Sequence, residues 1–265
     1  MSSNFSISVI LPTFNEQESL TFFIPELEKV LINYEYEILI VDDNSTDNTA
    51  ALLADYSFRN SKIKLIQRSD KPSLPLSIYE GIKNSSKDFV MWLDADGSMD
   101  GDAVLALIKC SAENRETVFV GSRFVKGGGY KGKEENESFN LKKFFNSIVD
   151  SEDSFLAIFL SLVFNKFLSI LLNIDVRDLT SGFIIGKKDL FVEEMFKGYV
   201  YGEYFINVLS ILQINNIDIF EVGYFCKPRM YGESKTSTNI FRLVKLLKPY
   251  IFTAIKSRKL INENL

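Results

Sequence analysis

Two aspartates at the end of an apolar run are the residues best suited to chemistry. Residues 89–93 read Phe-Val-Met-Trp-Leu, and Asp94, Ala95, Asp96 and Gly97 follow directly. The run predicts a buried strand, and Gly97 predicts a turn after it. Acids leaving such a strand point at a ligand crevice, where they suit Mg²⁺ or Mn²⁺ and leave positions for the phosphates of a sugar nucleotide. Such a pair also commonly caps a helix or lies in a solvated turn, so the motif alone leaves both interpretations open.

The composition excludes several kinds of catalysis. The 265 residues include no histidine, which removes Ser-His and Cys-His nucleophiles, imidazole bases and imidazole metal ligands. Cys110 and Cys226 have no paired spacing and no leading apolar segment resembles a signal peptide, so we expect a reducing cytosol. The length fits one compact domain with appendages.

The charge is unevenly distributed. The chain carries a net charge of -5, yet the residues from Lys227 onward hold nine Lys or Arg against Glu233 and Glu263, a local net charge of +7. A basic tail on an acidic body predicts a surface that meets an anion. Because this tail is also rich in apolar residues, a membrane surface is favoured and nucleic acid is not expected.

Strand-like and helix-like stretches alternate through the first half. This alternation, with continuous apolar strands, predicts an α/β fold with a mostly parallel, doubly wound sheet flanked by helices. The predicted strands are 6–12, 37–41, 63–67, 89–94 and 118–120, and the predicted helices are 19–31, 48–56, 76–84 and 102–112.

Polar residues follow three of these strands. They occupy 12–16, 42–47 and the Asp94 turn. Asn15, Asp43 and Asp47 could serve as helix caps or in Asx turns. Because parallel strands end at one edge of a sheet, we instead expect these polar groups to cluster around a ligand.

The second half is less regular. Residues 126–153 predict a mobile loop, and 154–174 form an apolar stretch in which Asn165 and Lys166 argue against a membrane span. We expect an interfacial or core helix there. Residues 238–259 predict a basic amphipathic element that Pro249 splits into two helices, either packed on the sheet or anchored on anionic lipid.

Six short motifs resemble a known family. Residues 8–16 (SVILPTFNE), 40–47 (IVDDNSTD) and 93–96 (LDAD) resemble the family 2 inverting glycosyltransferases of GT-A (Rossmann-like) fold. Residues 120–124 (VGSRF), 177–183 (RDLTSGF) and 227–235 (KPRMYGESK) are similar to the dolichol-phosphate mannosyltransferase and polyprenyl-phosphate glycosyltransferase branch. The resemblance implies a GT-A domain over 1–236, with the loop and interface helix at 126–174, and a C-terminal amphipathic membrane-interface tail at 237–265.

The resemblance also implies roles for individual residues. Asp94 and Asp96 would bind the metal ion and through it the diphosphate. Arg123, Arg229 and Lys235 would hold the acceptor phosphate and the departing diphosphate, with Asp178 beside the acceptor site. The nucleoside would contact Pro12, Thr13, Asn15, Glu16 and Asp43.

The implied reaction is inverting transfer of a sugar from GDP-mannose or a UDP-hexose to a polyprenyl or dolichyl phosphate, on the cytoplasmic face of a membrane with peripheral contact. A phosphate nucleophile is already anionic, so no strong base is needed. One alternative is a GT-A enzyme acting on a hydroxyl of a polysaccharide or soluble sugar, with Glu203 or Asp178 as base. Another is a non-catalytic membrane-binding relative, which Ser73, Pro75 and Ser98 permit because they depart from the family pattern.

Overall fold

The computed structural model describes residues 5–130, 155–227 and 240–264. Short 3₁₀ turns lie at Lys188–Leu190 and Glu193–Met195. The helices are α1 Gln17–Leu31, α2 Thr49–Arg59, α3 Leu74–Asn84, α4 Gly101–Glu113, α5 Phe155–Leu172, α6 Tyr204–Ile214 and α7 Ile240–Asn264. The strands are β1 Ser6–Thr13, β2 Glu35–Asp42, β3 Ile63–Gln67, β4 Phe89–Trp92, β5 Val118–Ser122, β6 Gly129–Tyr130, β7 Ile184–Lys187, β8 Ile219–Gly223 and β9 Phe225–Cys226.

Seven strands form one sheet in the order β3-β2-β1-β4-β7-β5-β8. Strand β7 runs antiparallel to β4 and β5, and the other neighbouring strands are parallel. The predicted mostly parallel α/β sheet is therefore confirmed. In the register, Thr13 pairs with Asp42 and Ile10 pairs with Trp92, so β1, β2 and β4 end at the same edge of the sheet.

The sheet is buried on both faces, which explains its continuous apolar strands. Ile38 and Ile40 of β2 pack into one core with α1, α2 and α4. Leu39 and Val41 point to the opposite face and pack into a second core with α3, α5, α6 and α7. Successive side chains of a strand thus pack against helices on opposite faces of the sheet, and the two layers of helices hold the sheet in place.

The apolar stretch at 154–174 forms helix α5. Leu168 and Leu172 are fully buried, whereas Phe159, Val163 and Phe167 on another face are exposed. Among the described residues, no helix combines the length and apolar character needed to cross a membrane. Of the predicted loop, 131–153 lies outside the described residues, while Gly129 and Tyr130 pair with β9.

The C-terminal element differs from the prediction. We expected Pro249 to divide it into two helices, and this was wrong: α7 runs through Pro249 as one helix. Proline removes one backbone hydrogen bond, but packing can hold the helix together across that gap. Here Ala254 and Ile261 belong to the second core, and Ser257 between them is also fully buried. The domain boundary at 236 stays a prediction.

Candidate active site

The carboxyl ends of β1, β2 and β4 open onto one cavity of about 260 Å³. Most of the residues that the sequence predicted to bind the nucleotide-sugar and its metal ion line this cavity. Their individual roles stay predictions. Its lining is Pro12, Thr13, Phe14, Glu16, Asp43, Pro72, Ser73, Leu74, Ser77, Asp94, Ala95, Asp96, Val200 and Tyr201.

A tight turn presents the two aspartates of the Asp94 motif. Gly97 has φ +73°, a left-handed conformation that glycine adopts without strain. Asp94 is half-buried, and Asp96 is only 4% exposed, with its Oδ1 accepting a hydrogen bond from the Ser98 backbone N–H at 2.9 Å. Asp100 then caps α4 by accepting from the Ala103 N–H at 3.0 Å. The turn therefore fixes Asp96 while both acids line the cavity.

The two carboxylates at this turn fit an ion such as Mg²⁺ that takes its remaining ligands from a substrate. No group of three or more His, Cys, Asp or Glu side chains suited to a metal occurs among the described residues. Mg²⁺ is commonly held by one or two carboxylates together with substrate phosphates, so a third protein ligand is not required.

Asp43 is held by residues that the sequence analysis did not identify. One oxygen accepts a hydrogen bond from the Ser73 backbone N–H at 2.5 Å, and the other pairs with the Arg68 guanidinium. Arg68 also donates to the Ser77 hydroxyl at 3.1 Å. Because the Arg68 and Asp43 side chains are only 7% and 6% exposed, this pair fixes the carboxylate rigidly beside the cavity. The available signal for Arg68 was its place directly after β3.

Asn15 lies between the lining residues Phe14 and Glu16 in the chain but does not itself line the cavity. It adopts φ +57°, and its side-chain oxygen accepts a hydrogen bond from the Thr46 backbone N–H at 2.7 Å. Its own backbone N–H donates to the Ser45 hydroxyl at 2.9 Å. Asn15 thus links the loop after β1 to the loop after β2. This contact resembles the structural role in a turn that the sequence offered as the alternative to ligand binding.

Arg123 and Asp178 form a two-point ion pair that is not part of this lining. Arg123 Nε donates to Asp178 Oδ2 at 2.8 Å, and Nη2 donates to Oδ1 at 2.7 Å. The Arg123 backbone N–H also donates to Oδ2, at 2.9 Å. Burial opposes the charged guanidinium, but the Asp178 carboxylate outweighs it and holds the pKa of Arg123 well above its ordinary value. Arg123 is thus a permanent cation with one side committed to Asp178.

The backbone before Asp178 is also fixed. The two oxygens of Glu221 accept hydrogen bonds from the backbone N–H groups of Arg177 and Asp178 at 2.8 and 3.0 Å. Burial raises the pKa of Glu221 above its ordinary value, and these hydrogen bonds oppose that rise. Glu221 therefore sets the position from which Asp178 reaches Arg123.

Glu203 supports one wall of the cavity. Its two oxygens accept hydrogen bonds from the backbone N–H groups of Val200 and Tyr201 at 3.0 and 3.1 Å. Val200 and Tyr201 line the cavity, and Glu203 itself is only 6% exposed. The sequence suggested Glu203 only as a base in the hydroxyl-acceptor alternative, and in the structure it holds this wall in place.

Lys227 connects the basic motif to the Asp94 turn. Its backbone N–H donates to the Ser98 carbonyl at 2.9 Å, and its ammonium group pairs with Asp100 at 2.9 Å. The hydrogen bond with Asp100 raises the pKa of Lys227. The predicted site residues Arg229 and Lys235 lie outside the described residues, but the chain enters their motif beside the aspartates.

Comparison with known proteins identifies the family. The sequence model of Glycosyl transferase family 2 matches residues 8–193, well over half of the chain. A dolichol-phosphate mannosyltransferase of Pyrococcus furiosus is 34% identical over 136 residues, which is 51% of this chain and 37% of that protein. A dolichyl-phosphate beta-glucosyltransferase, ALG5C, of Trichomonas vaginalis is 27% identical over 146 residues, 51% of this chain and 42% of that protein. The chain thus matches about two fifths of the length of these relatives.

Solved structures agree on the fold. Glucosyl-3-phosphoglycerate synthase from Mycobacterium tuberculosis, crystallised with Mn²⁺, UDP and phosphoglyceric acid, superposes with a TM-score of 0.61 at 15% identity, over 96% of this chain and 78% of that one. The same enzyme with Mg²⁺ and UDP gives a TM-score of 0.62 at 15% identity, over 96% of this chain and 80% of that one. The GT-A fold implied by the resemblance is confirmed. With its family model spanning the strand ends that line the cavity, the chain belongs to glycosyl transferase family 2.

Proposed function

We propose that this protein is a glycosyltransferase that moves a sugar from a nucleotide-sugar to a polyprenyl phosphate, with inversion at the anomeric carbon. The observation that carries the proposal is the convergence of Asp43, Asp94 and Asp96 on one cavity at the carboxyl edge of the sheet. Ligands of open α/β sheets bind at this edge. The names of two matched relatives, both dolichyl-phosphate sugar transferases, support the acceptor.

Asp94 and Asp96 would hold a divalent ion, Mg²⁺ or Mn²⁺. When bound, such an ion neutralises charge on the departing diphosphate. Solved structures with the same fold contain Mn²⁺ or Mg²⁺ together with UDP, which supports this assignment. Asp43, held by Arg68 and Ser73, presents a fixed acceptor for hydroxyl or base N–H groups of the nucleoside.

The remaining chemistry is positioning and charge. A lipid phosphate is anionic at neutral pH, so it attacks the anomeric carbon without transferring a proton to a strong base, and the nucleoside diphosphate leaves from the opposite face. Two anions repel each other, and Arg123, a permanent cation, would offset that repulsion on the acceptor side. Arg229 and Lys235 would add to it.

Two carboxylates proposed as bases for a hydroxyl acceptor are committed elsewhere. Both oxygens of Glu203 accept backbone hydrogen bonds. Both oxygens of Asp178 pair with Arg123, and Asp178 is fully buried. Neither is placed to accept a proton from a sugar hydroxyl, and this favours a phosphate acceptor over a hydroxyl acceptor.

The outer surface supports peripheral contact with a membrane. Exposed apolar side chains at helical spacing form a stripe on α5, here called the α5 stripe, which comprises Phe159, Leu160, Val163, Phe167 and Ile170. Helix α7 adds exposed Phe252 and Ile255, 71% and 56% exposed, beside exposed Lys248, Lys256 and Lys259. Apolar groups flanked by lysine suit an interface with anionic lipid, and we place it on the cytoplasmic face.

The test is a transfer assay with radiolabelled GDP-mannose, UDP-glucose and UDP-N-acetylglucosamine. Each donor is offered polyprenyl phosphate, polyprenol, or free sugar acceptors, with Mn²⁺ or with EDTA. We expect transfer to polyprenyl phosphate only, lost in EDTA. Transfer to a sugar hydroxyl would establish the alternative reaction. If no donor is used while vesicle binding persists without nucleotide, the non-catalytic alternative is supported and the proposal fails.

A further inference from the structure

Helix α5 reaches the Arg123 ion pair through two hydrogen bonds. Arg123 Nη2 donates to the Thr180 hydroxyl oxygen at 3.0 Å, in addition to its bond with Asp178. Asn165, from the middle of α5, donates to the same oxygen through Nδ2, also at 3.0 Å. Thr180 therefore joins a cation of the proposed acceptor site to a helix whose other face carries the α5 stripe.

The bonding capacity of Thr180 is matched to these partners. A threonine hydroxyl offers one proton and two lone pairs. Its oxygen lies 3.4 Å from Asp178 Oδ1, toward which the proton points, and it accepts from Arg123 and Asn165. Removal of the hydroxyl would thus take one partner from Arg123 and one from Asn165.

The amide of Asn165 has one orientation that fits its surroundings. Its second hydrogen goes to the Ser161 carbonyl at 2.9 Å, one turn earlier in α5, so that NH₂ must lie on this side. The side chain is 1% exposed, and Oδ1 has no hydrogen-bond partner among the described residues. Asn165 therefore meets Thr180 through its NH₂ group and not through its oxygen.

Within the described residues, one terminal nitrogen of Arg123 makes no hydrogen bond. Nε and Nη2 are used by Asp178 and Thr180, whereas no hydrogen bond from Nη1 is found within residues 5–130, 155–227 and 240–264. The guanidinium is planar, so fixing Nε and Nη2 also fixes the direction in which Nη1 donates.

We propose that Asn165 is a positioning residue which, through Thr180, fixes the Arg123 guanidinium for the acceptor phosphate. This inference rests on the proposed function for the identity of the acceptor. It means that α5, the helix that would contact lipid, also orients, through Thr180, the cation that would contact the lipid phosphate. Asn165 itself does not touch substrate.

The kinetic test compares Asn165→Leu with Asn207→Leu. Asn207 is 3% exposed and donates to the backbone carbonyls of Glu194 and Met195, so the same change there removes a buried amide away from Arg123. We expect Asn165→Leu to raise the KM for polyprenyl phosphate about tenfold, because the Arg123 guanidinium is no longer held in the direction that suits a charge-assisted hydrogen bond to the phosphate. The rise in melting temperature caused by nucleoside diphosphate and Mn²⁺ should stay unchanged. Asn207→Leu should leave both quantities unchanged. Equal effects of the two variants would overturn the proposal.

A double-variant cycle identifies the path. Thr180→Val should raise the same KM at least as much, and Thr180→Ser should restore it. If Asn165 acts through Thr180, the double variant Asn165→Leu/Thr180→Val will resemble Thr180→Val alone. Additive effects on KM would mean that Asn165 acts by another route, and the proposal would fail.

A third measurement does not depend on activity. The Arg123 Nε–H signal, assigned with Arg123→Lys in arginine-labelled protein, reports how tightly the guanidinium is held. We expect hydrogen exchange at Nε to accelerate severalfold in Asn165→Leu and to stay at the wild-type rate in Asn207→Leu. An unchanged rate in Asn165→Leu overturns the positioning role. If wild-type protein transfers no sugar to polyprenyl phosphate, only the proposed function fails, and this exchange rate still decides the role of Asn165.

Discussion

Arg68 and Asp43 form an ion pair in which both side chains are more than nine-tenths buried, and the carboxylate of that pair lines the cavity. Asp43 follows β2 and Arg68 follows β3, so the pair joins two neighbouring strand ends. The Ser73 backbone N–H, which donates to the second oxygen of Asp43, brings the start of α3 to the same place. One carboxylate therefore organises three segments around the nucleoside end of the proposed site.

The first prediction concerns this pair. Arg68→Met should lower the free energy of unfolding by about 3–5 kcal/mol, because it leaves the Asp43 charge buried without its partner. It should also weaken stabilisation by nucleoside diphosphate. Denaturant unfolding with and without ligand measures both effects. Arg59→Met is the control, since Arg59 and Asp55 are 72% and 48% exposed and such pairs contribute at most about 1 kcal/mol. A loss in Arg68→Met no larger than in Arg59→Met would contradict the prediction.

The second prediction concerns the Asp94 turn. Asp96→Asn keeps an oxygen to accept the Ser98 N–H but removes the charge that a metal ion requires. We expect turnover to fall on the order of 10²–10³-fold, because the charge on the departing diphosphate is no longer stabilised. The melting temperature of the ligand-free protein should change little, because the turn is kept. Asp102→Asn, at an exposed acid in the first turn of α4, should keep activity. If Mn²⁺ still enhances nucleotide stabilisation of Asp96→Asn as in wild type, Asp96 is not a ligand.

The regular first half of the fold could be predicted from sequence, whereas parts of the second half could not. Strands β1 to β5 and helices α1 to α4 lie within a few residues of the predicted ranges, because each is bounded by turn residues and repeats its pattern clearly. Strand β7 is only four residues long, and α6 is apolar on nearly every face, so neither shows a distinct period. Residue patterns do not reveal such elements, which depend on their buried surroundings.

For the site, the sequence predicts which residues meet better than it predicts the side chains that hold them. Asp43, Asp94 and Asp96 could be predicted to meet, since parallel strand ends share an edge. The pairing of Asp178 with Arg123, 55 positions apart, could not, because only the folded chain brings them within hydrogen-bond distance. The motifs therefore predicted that the three carboxylates are neighbours, which the cavity lining shows, but not which residues hold Asp43 and Asp178 in place.

The third prediction concerns pH. Burial opposes ionisation of Glu37, but hydrogen bonds from Lys64, Ser8 and Ser86 outweigh it and lower its pKa to about 2. A carboxyl with a lowered pKa contributes stability above its unfolded pKa of about 4.3, and this is lost as pH falls toward 2. The shift corresponds to about 3 kcal/mol.

Unfolding of Glu37→Gln measured between pH 7 and pH 2.5 tests this contribution. The variant should be less stable at pH 7 and lose less stability than wild type as the pH falls through 4. Glu35→Gln is the control, since Glu35 pairs with Lys87 but is 73% exposed, and it should follow the wild-type profile. Parallel pH profiles for Glu37→Gln and wild type would disprove the linkage.

The fourth prediction concerns the α5 stripe. Phe167→Glu/Ile170→Glu places charges where apolar side chains are 48% and 67% exposed, so folding should be little affected. Sedimentation with vesicles containing anionic lipid should fall at least about tenfold, because charged groups resist entry into the interface. Phe58→Glu changes a 91% exposed phenylalanine on α2 and should bind vesicles like wild type. Equal sedimentation of all three proteins would exclude α5 as the contact.

The fifth prediction concerns the contact between α7 and the cavity wall. A Cβ built on Gly202 comes within 2.3 Å of the Tyr250 hydroxyl, and Gly202 directly follows Tyr201 of the cavity lining. Gly202→Ala should therefore lower the free energy of unfolding by about 1–3 kcal/mol through overpacking. Removal of the hydroxyl in Tyr250→Phe should restore most of this loss in the double variant, since the next ring atom lies 3.3 Å from the added Cβ. If thermal melting shows that the two changes add, α7 does not pack against Gly202 in solution.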